Sequence, residues 1–226
     1  MELMFDNANL DTLTHFAGIY PYVGVTSNPS IIKDEGKIDF FEHFRKIREL
    51  IGKDRSLHIQ VVSINAEDII KEAEKIVEKI DKDVYIKIPV TEEGLKAIKN
   101  LKARGFKITA TAIYTRIQGM LAISAGVDYI APYFNRIKSR DADAEAIIRD
   151  LREDIDYSHA KTKILAASFH YGEQVTKALK AGADCVTLQP ELLKNMVCAD
   201  YIDKAVEKFA DDWKQSQGFN NLLDCE

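Results

Sequence analysis

The stretch Ala125-Gly126-Val127-Asp128-Tyr129-Ile130-Ala131-Pro132-Tyr133 leads from a helical segment through a glycine into a short apolar run. Ala181-Gly182-Ala183-Asp184-Cys185-Val186-Thr187-Leu188 repeats the figure. Glycine just past a helix end takes the left-handed conformation at little cost, so each stretch reads as helix end, turn, strand. The two copies lie 56 positions apart, from 125 to 181. That is two units of roughly 28 residues, a normal length for a βα repeat. Working outward, strand-like runs fall at residues 3–6, 22–26, 57–62, 84–88, 107–112, 129–133, 163–168 and 185–188. The segments between them have helical period. Ala66, Ile69, Ile70, Ala73, Ile76, Val77 and Ile80 form one stripe, with Asn65 placed to cap its start, and Ala144, Ile147, Ile148, Leu151 and Ile155 form another. Strands that alternate with helices pair in parallel. Eight such units predict an α/β fold closed into a (β/α)8 TIM barrel. The alternative is an open doubly wound sheet, which no GxGxxG or P-loop string supports.

Composition is that of an ordinary globular chain. The 226 residues include 31 Lys and Arg against 36 Asp and Glu, for a net charge of −5. That balance argues against a nucleic-acid footprint. Cys185, Cys198 and Cys225 show no paired spacing, which fits a reducing compartment. The opening MELMFDNANL lacks the basic flank and apolar stretch of a secretory signal. No run approaches the roughly 20 apolar residues of a membrane span. The expectation is a soluble, cytoplasmic protein with no membrane and no nucleic-acid partner. Residues 1–200 are read as the barrel, 201–217 as an extra C-terminal helix and 218–226 as a tail. That helix carries Ile202, Ala205, Val206, Phe209 and Trp213 on one face. It either caps its own barrel or docks on a neighbouring subunit.

In such a barrel the chemistry sits at the C-terminal ends of the strands. Here those ends read Asp6, Thr26 with Asn28, Gln60, Lys87, Thr111, Tyr133, Ser168 and Gln189. Strand ends are often polar simply because loops begin there, so no one of these is decisive alone. Lys87 is the sharpest of them. It interrupts Val84-Tyr85-Ile86-Lys87-Ile88-Pro89-Val90, and alternation puts it on the face opposite Ile86 and Ile88. With the isoleucines toward the helices, Lys87 points into the barrel. A lysine is almost never fully buried without a partner or a purpose. An amine kept out of water is suited to attack a carbonyl and form a Schiff base. The bland reading, an edge-strand lysine that discourages aggregation, loses force in a barrel without edges. Asp6 is the carboxylate expected near that amine. Gln60 can hold a water or a hydroxyl but cannot titrate. Tyr133 can exchange a proton through its phenol, and Arg136 with Ser168 would suit a phosphate. His15, His43, His58, His159 and His170 show no metal-ligand spacing, so no metal is expected, and there is no GxSxG elbow.

The strings FDNANLD, GVTSNPSII, VYIKIPVTEEGLKAIKNLKARG, APYFNRI and ILAASF resemble, in order and spacing, the small transaldolase family of class I aldolases. The resemblance runs over nearly the whole chain. It implies that Lys87 is the Schiff-base lysine with Asp6 beside it. Thr26 and Asn28, with Ser27 between them, would meet the dihydroxyacetone portion, and Arg136 and Ser168 the acceptor phosphate. Gln60 and Tyr133 stand where the transaldolase branch typically has Glu and Phe. With Thr111 they match the residues that hold a catalytic water in the aldolase branch. The implied reaction is cleavage of fructose 6-phosphate to dihydroxyacetone and glyceraldehyde 3-phosphate, with no cofactor. The alternatives are transfer of the dihydroxyacetone unit between sugar phosphates and, less favoured, a non-catalytic sugar-phosphate-binding barrel. The chain departs from the family pattern at Asn7, at Ser27, in the basic Lys138 and Arg140, and in Phe169-His170-Tyr171-Gly172, which lacks a proline. The resemblance also implies a homo-oligomer, a ring-like decamer with exchanged C-terminal helices.

Overall fold

Eight parallel strands close on themselves in sequence order, with the last paired to the first. The computed structural model describes residues 1–198 and 200–225, and all counts refer to these. The strands are β1 (Glu2–Asp6), β2 (Gly24–Thr26), β3 (Ser56–Gln60), β4 (Tyr85–Pro89), β5 (Ile108–Ile113), β6 (Tyr129–Pro132), β7 (Lys163–Ala166) and β8 (Cys185–Leu188). Between them run α1 (Leu10–Ala17), α2 (Pro29–Asp34), α3 (Phe40–Ile51), α4 (Ala66–Lys79), α5 (Glu92–Ala103), α6 (Arg116–Ser124), α7 (Phe134–Lys138), α8 (Ala144–Ser158) and α9 (Gly172–Lys180). This is the (β/α)8 barrel expected from the alternation. It forms a compact unit, Met1–Pro190. A second unit, Glu191–Glu226, holds most of α10 (Pro190–Val197), all of α11 (Asp200–Gln217) and a short 3-10 turn (Leu222–Asp224). None of the helices is long and apolar enough to cross a membrane.

Local chemistry sets the boundaries. Asn65 caps α4 by accepting from the Asp68 amide at 2.9 Å, as its position predicts. Asn9, Thr91 and Asp143 do the same for α1, α5 and α8. Gly126 and Gly182 take φ values of 75° and 108°, so both glycines make the left-handed turn into the next strand. The aspartate two residues later has a further purpose. Asp128 Oδ2 accepts from the Ile108 amide at 2.7 Å and from Lys102, while Asp184 Oδ2 accepts from the Ile164 amide at 2.7 Å and lies 3.1 Å from Arg152. Each aspartate thus fastens the start of its own strand to the start of the preceding one. The repeat is a staple on the barrel face remote from the strand C-termini.

Several strands are shorter than the apolar runs suggest. β3 stops at Gln60 because the Val62 and Ser63 amides turn away to the Glu72 carboxylate, at 2.8 and 3.1 Å. β6 stops at Pro132, and Tyr133 keeps only an isolated bridge to Ala167 before α7 begins. β7 stops at Ala166, since Ser168 adopts φ 64° and cannot continue a strand. β5 runs on to Ile113 with one extra residue: three steps from Ala110 to Ile113 oppose two from Ile130 to Pro132. Ala112 absorbs this bulge at φ 55°.

The barrel's floor is packed. Met4, Tyr129, Leu165 and Cys185 cluster there with Tyr85. His58 stacks on Tyr85 at 4.6 Å between ring centroids and bonds to the Thr109 and Ser56 hydroxyls at 2.8 and 3.0 Å. Burial, reinforced by the charge of Lys87, holds the His58 imidazole well below its usual range.

Behind β4, the start of α5 presses against the strand end. A β-carbon added to Gly94 would overlap the Pro89 carbonyl oxygen, a backbone atom that cannot rotate away. Gly94→Ala should therefore cost about 1–3 kcal/mol despite alanine's better helix propensity. The urea midpoint would fall at unchanged slope; an unchanged midpoint would show that α5 can retreat from β4.

Candidate active site

Lys87 is 2 % exposed. It projects from the middle of β4 into the barrel, and its Nζ donates to the Ser27 carbonyl oxygen at 2.9 Å. Ser27, itself buried, is oriented from behind by its amide, which donates to the His58 carbonyl at 3.1 Å. The next residue, Asn28, spends its side-chain oxygen capping α2, accepting from Ser30 and Ile31 at 2.9 and 3.1 Å. Its Nδ2 stays available to a ligand. The β2–α2 turn is therefore fixed at both ends and presents one carbonyl to one amine.

Asp6 ends β1 opposite Thr26. Its Oδ1 accepts from the Thr26 hydroxyl at 2.6 Å, and that hydroxyl lies 2.7 Å from the Thr187 hydroxyl on β8. Burial pushes the Asp6 carboxyl up, and the charge of Lys87 and the Thr26 hydrogen bond oppose the rise. Asp6 and Lys87 thus feel one another electrostatically while each takes its hydrogen bond elsewhere. Gln60 lies beside Lys87 in the β3–β4 register. Its Oε1 is buried and has no hydrogen-bond partner among the described residues. A buried acceptor of this kind needs a donor, and a water or a substrate hydroxyl would supply one.

The bulge in β5 sits between the Thr111 side chain and the loop that follows. Thr111 is fully buried and donates to the Tyr133 phenol oxygen at 3.1 Å. Because that oxygen receives the threonine proton, Tyr133 keeps its own O–H for the cavity. Arg136, exposed on α7, holds its guanidinium 5.6 Å from the Tyr133 ring centroid. Ser168 lies beyond the end of β7, where its left-handed backbone offers its carbonyl to the Asn135 amide at 2.9 Å. Strain of this kind persists where surrounding structure over-determines it.

Lys87, Ser27, Thr26 and Asp6 thus form one connected group with Gln60 at its side, and Thr111 with Tyr133 forms a second. Thr187 was not singled out from the sequence. The strand-end reading stopped at Gln189, which is exposed, whereas the hydroxyl that faces inward lies two residues earlier. The alternation of Cys185-Val186-Thr187-Leu188 contains that signal. Two glutamines also escaped notice because they occupy helices. Gln118 accepts from the Tyr114 amide at 3.0 Å and donates to the Val90 and Ala112 carbonyls at 3.1 and 3.4 Å. Gln174 accepts from the His170 amide at 2.8 Å and donates to Asn135 Oδ1 at 2.9 Å. Each ties together loops at the mouth.

Fold and site define an enzyme of the transaldolase-like aldolase type. Residues 3–219 match the model of the family described as Transaldolase/Fructose-6-phosphate aldolase. A protein of Streptococcus pneumoniae (strain ATCC 700669 / Spain 23F-1) named "Probable fructose-6-phosphate aldolase" is 50 % identical over 213 residues, which cover 94 % of this chain and 96 % of that protein. The chain belongs to the Transaldolase/Fructose-6-phosphate aldolase family.

The Asp6 carboxyl carries a stability consequence. Its folded value lies above the unfolded 3.8. The folded chain therefore binds more protons in the window above 3.8, and stability falls as pH rises through that window. Asp6→Asn keeps an acceptor for Thr26 and removes the ionisation. The variant should melt higher than the parent at pH 7, and its advantage should shrink as the pH falls toward 3.8. A variant less stable at pH 7 would show that the carboxylate's attraction to Lys87 outweighs its burial.

Proposed function

We propose that the protein is a Schiff-base aldolase that cleaves fructose 6-phosphate to dihydroxyacetone and glyceraldehyde 3-phosphate, and runs the reverse addition. The observation that carries this reading is the Lys87 amine, buried in the barrel and held by a neutral carbonyl. Its Nζ adds to the C2 ketone, and loss of water gives an iminium. The C4 hydroxyl proton passes into a water shared by Tyr133, Gln60 and Thr111, with the Tyr133 phenol as the acid/base partner of that relay. The C3–C4 bond then breaks toward the iminium, which accepts the electron pair and becomes an enamine. Glyceraldehyde 3-phosphate leaves, C3 of the enamine is protonated from the same water, and hydrolysis of the new iminium frees dihydroxyacetone and Lys87. The orphaned Oε1 of Gln60 and the unspent O–H of the Tyr133 phenol support a water at this position. Asp6 supports the amine's proton transfers from its place beside Thr26. Thr26, Ser27 and Asn28 surround the dihydroxyacetone end, and Arg136 and Ser168 take the phosphate.

Transfer of the dihydroxyacetone unit to a second aldose is the other reading, since the family name covers both activities. Gln60 in place of a carboxylate, with a phenol as the proton-transfer group, favours protonation and release over transfer. Erythrose 4-phosphate added to fructose 6-phosphate discriminates the two, because a transferase makes sedoheptulose 7-phosphate without free dihydroxyacetone, whereas an aldolase releases dihydroxyacetone whether or not the second aldose is present. The reading extends to assembly. We infer a homo-oligomer in which α11 docks on a second copy, because Val206 and Phe209 on its apolar stripe are 59 % and 69 % exposed. The free cysteines are consistent with a cytoplasmic setting.

Borohydride added with dihydroxyacetone should leave one covalent adduct, mapped by peptide mass to Lys87; an unmodified chain would remove the lysine from the mechanism. A positioned proton-transfer group is typically worth about 10²–10⁴ in rate. Tyr133→Phe should lose ketose cleavage by that order while borohydride still traps the adduct. Full activity in that variant would take Tyr133 out of the reaction.

A further inference from the structure

Beyond the Thr111–Tyr133 pair, the mouth of the barrel carries a second tyrosine. The Tyr114 ring meets the Tyr133 ring edge-on, with centroids 5.8 Å apart at 68°. Gln118 holds the Tyr114 backbone, so this ring stands on a fixed loop. Two guanidiniums converge on it. Arg136 Nη1 approaches the Tyr114 hydroxyl at 3.5 Å, and the Arg140 Cζ lies 4.8 Å from the centroid of the same ring. Arg140 is placed by the turn that ends α7, where its amide donates to the Ile137 carbonyl at 3.0 Å. Two other exposed arginines of the barrel are spent on carboxylates, Arg104 on Glu74 and Arg116 on Asp154, and Arg45 donates to the Lys79 carbonyl. Among the described residues, neither Arg136 nor Arg140 has a carboxylate partner.

This arrangement is unfavourable on its own, because two like charges lie around one phenol, Arg136 at its hydroxyl and Arg140 over its ring. It becomes favourable when an anion arrives. A guanidinium over an aromatic face spends none of its N–H donors on a carboxylate, and their fork matches the oxygens of a phosphate. The cation–π contact meanwhile restricts the long side chain, so less freedom is lost on binding.

We propose that Arg140 is a second phosphate-binding residue, held beside Arg136 by the Tyr114 ring, and that it selects acceptor aldoses bearing a terminal phosphate monoester over unphosphorylated ones. This rests on the reading that a sugar phosphate is the substrate, and it adds a residue and a selectivity to that reading. Arg140 lies outside the strand ends, on the turn that leaves α7.

The test compares glyceraldehyde 3-phosphate with glyceraldehyde as acceptors for dihydroxyacetone. Arg140→Gln should lower the ratio of kcat/KM for the phosphorylated over the plain aldehyde by about tenfold, the size of one charge-assisted hydrogen bond, and Arg140→Lys should restore part of it. An unchanged ratio overturns the proposal, as does an equal loss on both acceptors, which would mark Arg140 as a structural prop for Tyr114. Calorimetric titration with glycerol 3-phosphate reads the same subsite without turnover. Binding weakened about tenfold by Arg140→Gln in a protein that cleaves no ketose would remove the aldolase reading and keep this one. Binding indifferent to Arg140 would remove this one alone.

Discussion

One hydrogen bond organises the site. A lysine amine buried within a barrel has lost its water and must find an acceptor in the protein wall. Here that acceptor is the Ser27 carbonyl, 2.9 Å away. A neutral carbonyl accepts from an ammonium and, less strongly, from an amine, so the contact positions the nitrogen in both forms. Much of the neighbouring structure serves to aim that carbonyl. The Ser27 amide is tied to His58, the Asn28 side chain closes α2, and the neutral His58 ring sits in the layer beneath, bonded to two hydroxyls. A charged imidazole there would face the lysine across a dry interior, and burial prevents it.

The mouth is held by a different device. Two non-glycine residues, Ala112 and Ser168, stand in left-handed conformations at the ends of β5 and β7, where straight strands would carry the chain past the cavity. The extra residue in β5 and the early turn after β7 lead the backbone around the opening instead. Gln118 and Gln174 then bind the resulting loops to their helices through several hydrogen bonds each. Rigid loops on a rigid barrel are what a site needs when reacting atoms must be placed to within a fraction of an ångström.

The architecture was legible in the sequence because two periods alternate along it, and because Gly126 and Gly182 mark the same turn twice. The inward direction of Lys87 was legible too, since strand alternation sets this lone cation on the face opposite the isoleucines that meet the helices. Harder to read was what depends on backbone path. The end of β7 at Ala166 follows from a left-handed Ser168 that no residue type announces, and the β5 bulge is invisible in the steady alternation of Ile108-Thr109-Ala110-Thr111-Ala112-Ile113. Thr187 is hidden because a strand's last polar residue, here Gln189, need not be its functional end; inward direction depends on parity along the strand. Gln118 and Gln174 were overlooked because a polar residue on an amphipathic helix is ordinarily solvated. The turn carrying Arg140 showed its charge in sequence but not its stacking on Tyr114.

The staples made by Asp128 and Asp184 lie at the barrel's opposite end, and each joins neighbouring units through atoms that take no part in the chemistry. Closure and reactivity are therefore written in separate parts of these two repeats. Units that keep the glycine and its aspartate can exchange mouth loops, by recombination or by design, without losing the register that shuts the cylinder. The evolutionary freedom of such a chain resides in its rim, and its inheritance in its base.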